Sequence, residues 1–267
     1  AALLVAPAGL GAQQIVFPRP AAAQQADHDG RTLLPMRVAR SIAFRSIGPA
    51  VSGGRVSAVA GVAGQNDTYY VGTADGGVFR TTNGGITWTA EFQHQHALSI
   101  GALAVDPVNP EVVWAGTGEG NVRNNVSFGD GVFKSTDGGA HWTSMGLRNT
   151  LQIPRIVIDP NDPNTVFVAA MGNPWKDDPE RGVFRTQDGG RTWQKVLYTA
   201  PDVGAADIAI DPVNPQVLYA ATYKFRRTPW SFTDGGPEDA IYKSIDGGTT
   251  WTRLVGHGLP TTPVSRI

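Results

Sequence analysis

An all-β chain made of four-stranded propeller blades is what this 267-residue sequence predicts, on three observations. One eight-residue segment occurs four times, as TTNGGITW (81–88), STDGGAHW (135–142), TQDGGRTW (186–193) and SIDGGTTW (244–251). Their tryptophans stand 54, 51 and 58 residues apart, and a period of about fifty that holds several short strands means blades. Glycine (33) and proline (19) are plentiful, as many tight turns between short strands require.

Each unit reads in the same order. A first strand ends in LAVDP (103–107), IVIDP (156–160) or IAIDP (208–212) and runs into the Pro/Asn turns 106–110, 159–163 and 211–215. A second strand follows (VVWAGT, VFVAAM, VLYAAT), then a variable insertion and a third strand (GVFKS, GVFRT, AIYKS). The repeated segment turns the corner into a fourth strand led by tryptophan. We label these strands A to D. The first unit keeps the order with YYVGT (69–73) and GVFRT (77–81) but lacks the Asp-Pro turn. In the corner, the Ser or Thr and the Asp suit side-chain hydrogen bonds to turn amides, and Gly-Gly permits positive φ. The tryptophan then buries a large ring between blades. Asn83, Asp137, Asp188 and Asp246 thus read as structural, together with Trp88, Trp142, Trp193 and Trp251. Equivalent groups in four blades cannot all be one active site.

The expected blades are about 54–93, 98–148, 152–199 and 205–256 of a propeller spanning 42–267. FRSIG (44–48) is similar to the D strand WTSMG (142–146) and is expected to complete the last blade of the ring, removing a free edge. PVSRI (263–267) is similar to the start of the third unit, so a fifth blade begins at about 263 and the propeller here is incomplete. Further blades from the rest of a longer chain are expected.

Composition narrows the function classes. A net charge of −1 gives no reason to expect nucleic acid or an anionic membrane as partner. The absence of cysteine removes disulfides, thiolate metal sites and cysteine catalysis. Serine-hydrolase, phosphate-loop and zinc motifs are missing, and His94 and His96 form a pair without nearby partners. No metal or cofactor is expected. Residues 1–12 (AALLVAPAGLGA) are apolar, end in small residues and precede Gln13-Gln14, which reads as the remnant of a secretory signal peptide. The alternative is a short apolar helix or strand; as a helix it is too short to span a bilayer. Residues 13–41 read as a flexible leader, and the expected location is secreted or periplasmic.

The four segments follow S/T-x-D-x-G-x-x-W and resemble the Asp-box, or BNR, repeat. Over residues 42–267 the chain resembles two groups built from it. One is the sortilin-like receptors and bacterial sortilin-like proteins, whose propellers bind peptides and proteins. The other is the xyloglucanase-type glycoside hydrolases. The second resemblance implies a catalytic Asp in a D-x-G-G-x-Y/F-R context in an early blade. TADGGVFR (73–80) is a partial match, one residue shorter between the Asp and the Gly pair, which makes Asp75 a catalytic candidate. Counted from the C strand, Glu180 and Glu238 fill the same slot, so the carboxylate also reads as part of the repeat. A second carboxylate must face the first across the bond, and in that family it comes from a region outside this chain. Sialidases resemble the chain less, since their early Arg-Ile-Pro signature is absent.

The A–B and C–D turns share one rim of the propeller, and the variable B–C and D–A connections share the other. Function normally resides on variable loops held by a rigid frame. The B–C insertions 118–130, 172–181 and 223–239 supply the candidate ligand-binding residues Glu119, Arg123, Asn124, Trp175, Arg226, Arg227 and Trp230. Exposed Trp beside Arg, Asn and carboxylate suits stacking on a sugar or gripping a peptide. The alternative is that the loops pack on one another, with Arg paired to Asp177, Asp178 or Glu238. Arg155, Asp207 and Ala102 share one position on the A strands, with Arg266 in the fifth unit, and read either as an anion site or as an Arg155–Asp207 pair. The role expected is binding of a peptide, protein or glycan at this rim; the alternative is a xyloglucanase-type hydrolase acting on a polysaccharide.

Overall fold

The computed structural model describes residues 55–259 except 122, 124, 125 and 257. The signal-peptide remnant, the leader, segment 44–48, the fifth unit with Arg266, and Asn124 lie outside the described residues. Among those residues the chain folds into four antiparallel sheets, each with four strands side by side in chain order, as a partial β-propeller. Blade 1 holds β1 (Val56–Val62), β2 (Gln65–Thr73), β3 (Gly77–Thr81) and β4 (Thr89–Ala90). Blade 2 holds β5 (Ile100–Val105), β6 (Val113–Thr117), β7 (Val132–Ser135) and β8 (Thr143–Ser144). Blade 3 holds β9 (Arg155–Ile158), β10 (Val166–Ala170), β11 (Gly182–Thr186) and β12 (Gln194–Leu197). Blade 4 holds β13 (Val203–Ile210), β14 (Leu218–Arg227), β16 (Ala240–Ser244) and β17 (Thr252–Arg253), with β15 (Phe232–Asp234) as an extra strand on the end of β14.

The B strands β6 and β10 are buried at every residue, since each lies mid-sheet with a blade against both faces. Hence they read as unbroken apolar runs rather than alternating ones. The core is a series of layers between blades. Ile100, Phe92 and Phe133 pack between blades 1 and 2, Trp114, Ile156 and Val168 between 2 and 3, and Phe167, Val183 and Ile208 between 3 and 4.

The corners form as their chemistry requires. In blade 2 the Ser135 hydroxyl donates to Asp137 Oδ1 (2.8 Å) and accepts from the amide of Gly139 (2.8 Å). Asp137 Oδ1 also accepts from the amide of His141 (2.9 Å). The same bonds recur around Asp188 and Asp246, and Asn83 makes them in blade 1 through its carbonyl oxygen. Gly138 and Gly139 have φ of 69° and 100°, and the other three pairs are also positive. In the Asp-Pro turns, Asp106 Oδ1 takes the amides of Val108 (2.8 Å) and Asn109 (3.1 Å), and Asp159 and Asp211 repeat the arrangement.

The tryptophans are less enclosed than the sequence suggests. Trp142 and Trp193 are half-buried and reach the preceding blade through their ring N–H, to the carbonyls of Glu91 (3.0 Å) and Met145 (2.7 Å). Trp251 donates instead to Gly248 of its own turn (3.1 Å), and Trp88 is exposed, set edge-on to Tyr69 at 5.3 Å. The B strands instead place Tyr70, Trp114 and Phe167 fully buried between blades, joined between blades 1 and 2 by Phe92, just beyond β4.

Candidate functional site

Antiparallel order puts the A–B and C–D turns on one rim, and hydrogen bonds lace them there. The first glycine of each corner donates to the carbonyl at the start of its own B strand: Gly84 to Asp67, Gly138 to Glu111, Gly189 to Asn164 and Gly247 to Gln216, at 2.9–3.0 Å. The other rim carries the candidate residues.

Asp75 is exposed at the tip of the short turn between β2 and β3. Thr73 Oγ1 accepts from the amide of Gly76 (2.9 Å) and donates to the carbonyl of Gly77 (3.1 Å), and Gln93 donates to the carbonyl of Gly76 (2.8 Å). The amide of Ala74 donates to the carbonyl of Arg55 (3.1 Å). A braced backbone therefore presents the carboxylate. Blade 2 repeats the brace, with Thr117 Oγ1 bonded to Gly131 and Asp130. Counted from the B strand, Glu119 is thus the counterpart of Asp75, each two residues beyond the bracing threonine. Counting from the C strand hides this correspondence.

Glu119 has a different fate from Asp75. It is 1% exposed, and its carboxylate accepts from Arg55 Nε (2.6 Å), from Arg55 Nη2 and from Asn121 (2.8 Å). The Arg55 guanidinium is pushed above its ordinary value, first by the hydrogen bond to Glu119. Burial opposes this, and the charges of Glu119 and Asp75 add to it. Arg55 therefore links a buried carboxylate to the neighbourhood of an exposed one. Within the same insertion Arg123 is exposed.

The insertions of blades 3 and 4 are stitched together. Arg226 pairs with Asp177, the amide of Arg227 donates to the carbonyl of Pro174 (2.7 Å), and the Arg227 guanidinium lies 5.4 Å over the Phe232 ring. Arg181 is wholly buried and donates to the carbonyls of Asn173 (2.6 Å), Asp202 (3.2 Å) and Phe225 (3.1 Å), which clamps both insertions. Burial pushes its guanidinium below the ordinary value, with the charges of Asp178 and Asp202 opposing. Asp178, also buried, takes the amides of Asn173 (2.6 Å) and Glu180 (2.9 Å) and shapes the loop that holds Trp175 outward. The hairpin β14–β15 closes through Thr228 and Ser231, and Trp230 at its tip is 85% exposed. At its base Asp239 is buried, which pushes its carboxyl up, against the amides of Lys224 (2.6 Å) and Gly236 (3.0 Å).

The structure thus joins Trp175, Arg226, Arg227 and Trp230 in one bonded loop group, and sets Asp75 and Glu119 around Arg55. Arg155 and Asp207 form an exposed pair at 3.5 Å between β9 and β13. Arg55 and Arg181 escape sequence reasoning, since nothing local marks Arg181 as buried or Arg55 as the partner of Glu119. Among the described residues no three His, Cys, Asp or Glu side chains gather as a metal set.

Comparison with known proteins follows the same lines. The family model of sortilin and neurotensin receptor 3 matches residues 130–258. A xyloglucanase of a Paenibacillus species is 26% identical over 242 residues, covering 80% of this chain and 22% of the relative. A xyloglucanase of Acetivibrio thermocellus is 26% identical over 215 residues, covering 72% of this chain and 24% of the relative. This chain therefore spans about a quarter of their length. Among solved structures, an ancestral GH74 enzyme superposes with a TM-score of 0.58 at 24% identity, over 75% of this chain and 25% of that one. The GH74 enzyme of Niastella koreensis gives 0.55 at 23% identity, over 73% and 28%. No helix among the described residues is long and apolar enough to cross a membrane.

Proposed function

We propose, on the premise that this chain is an Asp-box β-propeller of the sortilin-like and xyloglucanase-type group, that it is the glycan-handling propeller of a xyloglucanase-type glycoside hydrolase. The similarity to xyloglucanases over most of the chain carries this reading. Binding of a peptide or protein draws only on the match to residues 130–258 and is the weaker alternative. The substrate would lie along the B–C rim, with the Trp175 and Trp230 rings stacked on sugar faces and Asp75 beside the scissile bond. Asp75 serves as one of the two carboxylates that glycoside hydrolysis needs. Glu119 does not serve as the other, because Arg55 and burial hold it in the frame. The partner carboxylate belongs to a part of the protein beyond this propeller segment. A polysaccharide substrate is met outside the cytoplasm, which fits a secreted or periplasmic enzyme.

The test is hydrolysis of xyloglucan by the intact protein and by its Asp75→Asn variant. Loss of turnover by a factor of about 10²–10⁴, with the fold retained, is expected of a general acid or base. Undiminished turnover in Asp75→Asn would remove that residue from the chemistry. Polysaccharide retained without hydrolysis would leave a glycan-binding propeller.

A further inference from the structure

Positive φ is left to glycine almost everywhere in this chain. Among the described residues eighteen glycines adopt it, and two other residues do, Leu147 and Leu151, each with φ of 55°. Both flank the 3-10 turn Arg148–Thr150 in the connection from blade 2 to blade 3. Leu151 has ψ of −33°, and the amide of Gln152 donates to the carbonyl of Thr150 (2.5 Å). Leu151 is thus the centre of a γ-turn of the rare, strained hand. A leucine held at such a φ disfavours the folded state by about tenfold in the folding equilibrium. Glycine would take either conformation without that strain, so each leucine side chain must contribute something that offsets it.

For Leu147 the offset is packing, because its side chain lies against the core layer of Trp114 and Ile156. Leu151 is also half-buried, yet it joins none of the core layers among the described residues. Backbone bonds show where it stands. The Leu151 carbonyl accepts from the amide of Gly129 (2.7 Å), and the amide of Ile153 donates to the carbonyl of Gly118 (3.0 Å). The Gln152 carbonyl accepts from the amide of Met171 (2.9 Å). The turn is therefore wedged between both ends of insertion 118–130 and the start of insertion 172–181. Phe128, next to Gly129, is 42% exposed, and Trp175 of the other insertion is 38% exposed. Polar groups border the turn: the Arg148–Asp130 pair at 3.5 Å and exposed Asn149.

We infer that Leu151 and Phe128 form an apolar subsite on this rim for the C–H face of a sugar ring, with Leu151 kept strained because its side chain serves the ligand and not the core. The inference rests on the glycan reading above. Two apolar side chains inside a polar border suit one sugar face with hydroxyls at its edge. They fall far short of the roughly 1,000 Å² that a specific protein interface buries. The subsite extends the surface that carries Trp175 toward blade 2.

The experiment compares the intact parent protein with Leu147→Gly, Leu151→Gly and Leu151→Met, and uses Trp230→Ala to gauge the glycan reading. Both glycine variants loosen the unfolded chain alike, so the difference in their Tm reports how much each side chain packs. Leu147→Gly is expected to lower Tm by at least about 3 °C more than Leu151→Gly does. An equal or larger loss in Leu151→Gly would make its side chain structural and overturn the inference whatever the ligand. In affinity electrophoresis with xyloglucan, Leu151→Gly should raise Kd by about five- to tenfold. Leu151→Met, which keeps an apolar side chain of similar volume, should bind as the parent does. Weakening by Trp230→Ala without weakening by Leu151→Gly would overturn the subsite and leave the glycan reading standing. Failure of xyloglucan to retain the parent protein would overturn both.

Discussion

Replacing Gly190 by alanine tests the interblade packing directly. Gly190 has φ of 95°, and a Cβ there lies 2.8 Å from Cη2 of Trp114 and 3.0 Å from Cε of Met145. Holding an L-residue in the left-handed region costs about 1–2 kcal/mol. The Met145 methyl ends a flexible side chain and is able to swing aside. The Trp114 ring is fully buried between blades, so the new methyl overpacks it at about 1–3 kcal/mol. The two together come to about 2–5 kcal/mol. Gly64→Ala is the control: φ is 74°, and nothing lies within 4 Å of the added Cβ. It should cost only the backbone part. Equilibrium urea unfolding of the two variants and the parent, followed by circular dichroism, gives both values. In thermal scans each kcal/mol corresponds to about 2–4 °C for a chain of this size. Equal losses in Gly190→Ala and Gly64→Ala would refute the claim that corner glycines are required by the ring of the preceding blade.

Two further expectations follow from the same geometry. The turn hydrogen bonds pull Asp137 down to about 2, first through the His141 amide, and Asp246 down to about 2, first through the Thr250 hydroxyl. Asp188 is held low chiefly by Thr192. Because the folded-state values lie below the unfolded value of about 3.9, these corners stabilise the fold above about pH 4. They lose that contribution as pH falls through about 2. Asn83 has no such titration. Amide exchange at His141, Thr192 and Thr250 should therefore accelerate between pH 4 and 2 relative to Thr87, after correction for intrinsic rates, and four equal profiles would contradict this. Trp230→Ala should leave stability unchanged, given the exposure of the ring, and weaken polysaccharide affinity by about 1–3 kcal/mol in affinity electrophoresis. Unaltered affinity would remove Trp230 from the ligand surface.

The four-blade architecture was legible because its determinants are local. Asp137 bonds to residues two and four positions away, and the Asp-Pro turns close over two or three residues, so a short window of sequence holds the whole device. Four copies turned a weak motif into a register for the chain. The candidate site was legible only as a region. Glu119 resembled an exposed ligand contact until Arg55, 64 residues away, was seen to neutralise it in the interior. Arg226 likewise finds Asp177 across 49 residues, the pairing that had stood as the alternative to a ligand contact. Nothing in the sequence around Arg181 sets it apart, yet its three carbonyl acceptors organise its own loop and the neighbouring one.

The sequence by itself determined the strand order, the corners, the Asp-Pro turns and the rim on which variable loops gather, because each depends on side chains bonding to nearby backbone. Only the tertiary structure decided which ring fills each space between blades. The corner tryptophans are half-buried or exposed, and the B-strand aromatics lie under the next blade's glycines, a contact between repeats that no single repeat encodes. Tertiary structure also separated Asp75 from Glu119. Both occupy one position of the repeat, but a guanidinium delivered by a distant strand drew Glu119 inward and left Asp75 facing solvent.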